Sequence, residues 1–214
     1  MSEPSYMMAE AVAAMFVGVG PRWAAQMERQ QCTEPAKVAA FLSWILNGQV
    51  LDAPILDVGC GTGLGAAALR PLCRRLEGID LSQSMIEIAE QGGLYDQLYL
   101  GEAVPFLHAR TGYGAIAAAG VCCFFNDLRP LFDAVAHALL RGGVFVCTSD
   151  TWTGPGEVAV SPRHEAMRLH SVQHIVGAAQ AAGLQVRSYQ RSILRLDFFQ
   201  GLPIDGAVTV LSKE

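Results

Sequence analysis

Asp57-Val-Gly59-Cys60-Gly61-Thr62-Gly63 lies directly after a short β-like run and directly before a helical pattern. Glycines there let the backbone turn tightly and approach a ligand with no Cβ in the way. The helix that follows offers free N–H groups. The spacing is GxGxG with an acid two residues before its first glycine. A dinucleotide fingerprint asks for a third small residue that lets the helix pack on the strand, and Leu64 fills that place although Gly65 follows. A second acid, Asp80, ends the next apolar run, where a carboxylate can accept both hydroxyls of a ribose. The two features together point to a nucleoside-bearing ligand held at strand ends.

Other residues carry chemistry with less pattern around them. Phe124, Phe125 and Asn126 share a loop after an apolar run; an aromatic wall there would attract a cation, and core packing explains it equally well. Cys122-Cys123 and Cys60 read as buried packing residues. The six cysteines form no CxxC pair and no zinc-like spacing, so no metal site is expected. Between Arg163 and Arg195 stand Arg163, Arg168, Arg187, Arg191 and Arg195 against one acid, Glu165. A guanidinium fork could hold an anionic acceptor there, or the arginines could line a solvated face. His108, His137, His164 and His174 have no constellation around them.

The elements that must position these residues alternate short apolar runs with helical patterns, which predicts a parallel sheet wrapped by helices. Strands are expected at Ile55–Val58, Leu76–Ile79, Leu98–Leu100, Ala115–Ala119 and Val144–Thr148. Helices are expected from Gly63 to about Arg74, from a capping box at Ser84-Met-Ile-Glu87, and from Asp127 through Leu139 with Arg141 in its last turn. A last helix runs from Ser171 to Gly183. Leu184 to about Leu194 and Ala207–Leu211 should close the sheet as an antiparallel pair. Upstream, Ser5 to about Val17, a segment from Arg22, and a Thr33-capped stretch ended by Asn47-Gly48 read as helices. The spacing of Val38, Phe41, Leu42 and Ile45 marks a buried stripe.

Composition limits the options. With 214 residues, 51% hydrophobic, one large core is expected and disorder is excluded. A net charge of −5, with Lys37 and Lys213 the only lysines, argues against a nucleic-acid binder. No run approaches a membrane span and no basic n-region precedes Met7–Gly20, so a soluble cytoplasmic protein is expected. The chain reads as one domain, 1–214, with a helical cap over 1–48 and a Rossmann-like core over 49–214.

D-x-G-C-G-T-G followed by an acid ending the second strand resembles the class I S-adenosylmethionine-dependent methyltransferases. Gly78–Leu107, Tyr113–Asp150 and Leu194–Lys213 are similar to a group of methyltransferases sometimes attached to TPR repeats. The resemblance implies an α/β, mostly parallel seven-stranded sheet with an antiparallel closing strand and an N-terminal helical lid. It implies S-adenosylmethionine (SAM) as cofactor, with Asp57, Gly59, Cys60, Gly61 and Gly63 beneath the methionine part and ribose. Asp80 would bind the ribose hydroxyls, Leu81 and Met85 flank the adenine, and Glu102 with Ala103 face its amino group. Ala119 or Gly120 would offer a carbonyl to the ammonium. His170, paired with Ser171 as in that group, is a candidate base, and Asn126 and Arg168 complete the catalytic candidates. The segment Phe16–Trp23 departs from the group's pattern. The expected activity is methyl transfer to a small, possibly anionic molecule by a monomer or homodimer. Cyclase or lyase chemistry on the cofactor, a non-catalytic partner subunit and a nicotinamide dehydrogenase are the rivals, in that order.

Overall fold

The structure, a computed structural model, describes residues 12, 15, 16, 18–197 and 200–214. The expected helix from Ser5 to Val17 falls mostly outside them. Nine strands are described: β1 (Ile55–Val58), β2 (Leu76–Asp80), β3 (Gln97–Leu100), β4 (Tyr113–Ala118), β5 (Leu139–Asp150), β6 (Val158–Ser161), β7 (His164–His170), β8 (Leu184–Leu196) and β9 (Pro203–Lys213). Seven form one sheet in the order β3-β2-β1-β4-β5-β9-β8. Pairings from β3 through β5 are parallel. β9 runs antiparallel to both β5 and β8, so the reversed strand is inserted next to the edge. β1 and β4 are buried throughout, as parallel strands covered on both faces must be.

The helices are α1 (Gly20–Arg29), α2 (Glu34–Ile45), α3 (Ala66–Leu69), α4 (Gln83–Gln91), α5 (Ala103–His108), α6 (Arg129–Ala138) and α7 (Val172–Ala181). On one sheet face Phe132, Leu131 and Val135 of α6 pack with Ile175 and Ala179 of α7. On the other, Val38, Ala39 and Leu42 of α2 meet Leu69, Ile55 and Ala117. None of the described helices is long and apolar enough to cross a membrane.

Several expected boundaries shift for local reasons. The helix expected over 63–74 shrinks to α3 plus a 3₁₀ turn at Arg70–Leu72, because Pro71 cannot continue an α-helical ladder. Ser84 is not a cap: Ser82 precedes α4, its N–H bound to Asp80 Oδ1, and its hydroxyl is 3.0 Å from that of Ser84. Leu128 rather than Asp127 precedes α6, although Asp127 Oδ1 accepts from Arg129 N at 3.0 Å. Arg141 lies in β5, not in the helix. Thr33 spends its hydroxyl on Leu194 O, 2.9 Å away, instead of capping α2. The β6–β7 hairpin was unexpected, because Arg163 and Glu165 obscure its alternation.

The start of α2 is stitched to the end of β8. Thr33 N donates to Leu194 O, Leu196 N donates to Gln30 O, and Gln30 Nε2 donates to Leu196 O. These bonds bring the α1–α2 junction to the carboxyl ends of β4 and β5.

Candidate active site

A cavity of about 560 Å³ opens along the carboxyl ends of β2, β1, β4 and β5, beneath α1 and the β6–β7 hairpin. Its size suits a drug-sized ligand. The loop after β1 forms the floor. Gly59 and Cys60 donate their N–H groups to Ile79 O at 2.8 and 3.1 Å, which folds the loop back onto β2. Gly59, Gly61 and Gly63 have φ of +65°, +54° and +86°, a region that favours glycine. A Cβ on Gly59 would sit 2.5 Å from Val121 Cγ2. Gly59→Ala is therefore expected to lose about 1–3 kcal/mol of stability from strain and overpacking. Urea unfolding reads this, and an unchanged midpoint would refute the tight approach.

Asp80 holds the loop's far side. Gly61 N donates to its Oδ2 at 2.8 Å and Ser82 N to its Oδ1 at 2.9 Å. Each oxygen keeps a lone pair for a hydroxyl. Burial pushes the Asp80 carboxyl above its ordinary range. Asp57 sits deeper, accepting from Tyr95 Oη at 2.8 Å, and burial with the nearby Asp80 charge lifts it to about 7 against the pull of Tyr95. Leu81, Met85, Glu102 and Ala103 line the same side of the cavity, as does Cys60; Ala119 lines the opposite side. Gly63 does not reach it: a Cβ there would meet Tyr95 and Ala89.

Over β4 and β5 the wall holds a buried polar network that the sequence does not announce. Arg195 Nη1 bonds Glu34 Oε1 and its Nη2 bonds Asp150 Oδ2 at 2.8 Å. Thr148 donates to Glu34 Oε2 and accepts from Gly120 N at 2.8 Å. Next to it Arg163 pairs with Asp197 at 3.3 Å. Apolar residues complete the chamber. Phe16 lies edge-on to both Trp23 of α1 and Phe124, with centroids 5.4 and 5.9 Å apart, and Phe125, Met27 and Met167 join them.

The three candidate catalytic residues stand outside the cavity lining. Arg168 is tied to Asn126 Oδ1 and Glu165 O on the outer side of the hairpin. Arg187 and Arg191 are on β8 with Gln185 and Asp205 as partners, so the five arginines do not converge. His170 is fully buried. Its Nε2 is 3.0 Å from Cys122 O and its Nδ1 is 3.1 Å from His174 Nδ1. Leu128 N donates to His174 Nε2 at 3.3 Å. Asp127 Oδ1 is also 3.5 Å from that nitrogen, but Arg129 already occupies it. With Nε2 as acceptor, His174 Nδ1–H must donate to His170 Nδ1, and His170 Nε2–H to Cys122 O. This chain of hydrogen bonds braces the loop that presents Phe124. His164, by contrast, does line the cavity.

Residues 56–147 match the methyltransferase domain family. A human methyltransferase-like protein 27 is 42% identical over 84 residues, 37% of this chain and 34% of that protein. The chain spans between a third and half the length of the curated relatives it matches. Among solved structures, a Burkholderia thailandensis 1,6-didemethyltoxoflavin N1-methyltransferase with bound S-adenosylhomocysteine (SAH) superposes with a TM-score of 0.74 at 17% identity, covering 100% of this chain and 93% of that one. The [4+2]-cyclase SpnF superposes with a TM-score of 0.76 at 16% identity, covering 99% of both chains. The fold is the Rossmann-like one of SAM-dependent methyltransferases. The matched segment is similar to methyltransferase domains, and SAM is the cofactor that this likeness implies.

The residues present fit that cofactor. Asp80 would offer acceptor lone pairs to a ribose and Leu81, Met85 and Ala103 apolar contact to an adenine, while Glu34 and Asp150 bring acidic groups to the far wall.

Proposed function

We propose that the protein transfers a methyl group from SAM to a small, largely apolar acceptor. The observation that carries this reading is one continuous cavity, with the glycine loop and Asp80 at one end and an aromatic chamber at the other. The bound cofactor supplies an activated methyl group on a sulfonium. The chain's task is then alignment and exclusion of water, which on the order of 7 kcal/mol of proximity can support. Asp57, Gly59, Cys60, Gly61, Asp80, Leu81, Met85, Glu102, Ala103 and Ala119 would hold the cofactor, with Gly63 supporting the loop from behind. Phe16, Trp23 and Phe124 would face the acceptor and shield it.

Each arginine in the wall is already paired with a carboxylate, which favours a neutral acceptor over the anionic one. His170, Asn126 and Arg168 brace the wall in this reading rather than touch a substrate. The likeness to the TPR-attached group, and a small-molecule acceptor rather than a macromolecular one, belong to the same proposal.

The fold alone does not decide between transfer and other chemistry, since it also hosts a cyclase. Incubation with methyl-labelled SAM and a small-molecule extract tests the point. Labelled small product with SAH is expected. Methylthioadenosine without labelled product would replace transfer by cyclisation or lysis.

A further inference from the structure

The strand order β3-β2-β1-β4 sets the polarity of the cavity. The residues suited to an adenosine stand at β2 and β3: Asp80, Leu81 and Glu102. What remains for the charged methionine tail stands over β1, β4 and β5. There the chain has placed two carboxylates around one guanidinium. Glu34 opens α2 and is 4% exposed, Asp150 ends β5 and is 3% exposed, and Arg195 is 8% exposed. Their sum is one uncompensated negative charge, out of bulk water and in the cavity wall.

A structural role alone would not need that excess. A single carboxylate already neutralises Arg195, and a second buried one adds desolvation and repulsion. Burial, and next the Glu34 charge among the raising causes, keep the Asp150 carboxyl above its ordinary range despite Arg195. The arrangement is also aimed. Thr148 fixes Glu34 Oε2 and at the same time takes Gly120 N–H, and a Cβ on Gly120 would sit 3.5 Å from that same Glu34 oxygen. On the other side of the group, Asp150 bonds Arg195 through Oδ2 and leaves Oδ1 with no hydrogen bond among the described residues.

We propose that Glu34 and Asp150, clamped by Arg195, form a charge-reading wall that binds the cationic groups of the cofactor's methionine tail and makes the chain prefer sulfonium cofactor over its neutral thioether product. This rests on the cofactor reading above. SAM brings a sulfonium, an ammonium and a carboxylate to this end, SAH the ammonium and carboxylate without the sulfonium, and methylthioadenosine none of the three. The wall therefore discriminates among three compounds that share the same adenosine. It also favours release of the product over the cofactor.

Calorimetry with these three compounds on the wild type, Glu34→Gln and Asp150→Asn provides the test. Each substitution keeps the shape, leaves Arg195 with one carboxylate and brings the group to neutrality. For both variants the expected loss is about 30-fold for SAM and about 10-fold for SAH, with methylthioadenosine unchanged. The melting temperature of the free variants should stay level or rise, which a purely structural pair would not allow. Equal loss for all three compounds, or no loss for any, overturns the proposal. If one variant fails to fold, the other decides by the same criterion. Failure of the wild type itself to bind SAM overturns the cofactor reading and this inference with it, so the two failures are separable.

Discussion

Asp80→Ala is expected to weaken SAM, SAH and methylthioadenosine alike, by about 100-fold, equivalent to about 2.7 kcal/mol. The carboxylate does two things at once. It would accept hydroxyls of the ribose common to all three compounds, and it already accepts Gly61 N–H and Ser82 N–H, which shape the loop under that ribose. Alanine removes both roles and leaves two N–H groups without a partner. Asparagine keeps one acceptor oxygen, so Asp80→Asn should fall between, at about 10-fold. The uniformity across compounds distinguishes this site from the tail wall, where loss should follow the ligand's charge. Calorimetry on the three ligands reads both patterns. Unchanged affinity in Asp80→Ala would remove Asp80 from the site.

The end of the cavity proposed for the adenosine was legible in the sequence because its residues stand close together and each obeys a local rule. Gly59 and Gly61 need positive φ, Asp80 closes an apolar run, and Leu81 follows it directly. The tail end was not. Glu34, Thr148, Asp150 and Arg195 come from α2, β5 and β8, and long-range bonds such as those of Thr33 to Leu194 and Gln30 to Leu196, with the β5–β9–β8 pairing, bring them together. Arg195 shows the limit well. Its neighbours in sequence suggested a cluster of arginines, but a register shift in β8 between Ile193 and Arg195 breaks the alternation that would put Arg191 and Arg195 on one face, and Arg195 turns inward, where two distant acids meet it. His170 shows the opposite case. Its place before Ser171 was correct as a helix entry, since Ser171 Oγ accepts from His174 N at 3.1 Å. Its partner His174 was invisible as such because nothing in the spacing reveals that both rings face inward. The parallel core was readable from apolar runs alone; the β6–β7 hairpin, whose short strands mix apolar and polar residues, carried no such signal.

The brace formed by His170 should make stability depend on pH in a way that can be isolated. Burial lowers the His170 pKa to about 4, outweighing the Cys122 carbonyl that would favour the charged ring; His174 and Arg168 beside it lower it further, and Asp127 opposes them. In the unfolded chain a histidine titrates near 6.5. Between these values the unfolded state takes up the proton first, so the contribution is complete above about pH 6.5 and is lost as pH falls towards 4. The full loss is about 3–4 kcal/mol. Asp57, raised to about 7, works in the opposite direction, gaining a proton in the folded state first as pH falls. A bare pH profile of the wild type therefore mixes the two. Subtracting the profile of His170→Gln removes Asp57 from the comparison, because the glutamine variant retains it. Urea unfolding at pH 7 and pH 4.5 should show the variant less stable than the wild type at pH 7, where His174 Nδ1–H and Cys122 O lose well-placed partners. At pH 4.5 that gap should narrow by about 2–3 kcal/mol, or reverse, since glutamine has no proton to refuse. A gap that is the same at both pH values would mean that His170 is charged, or freely hydrated, in the folded protein, and the neutral chain from Leu128 N–H to Cys122 O would have to be abandoned.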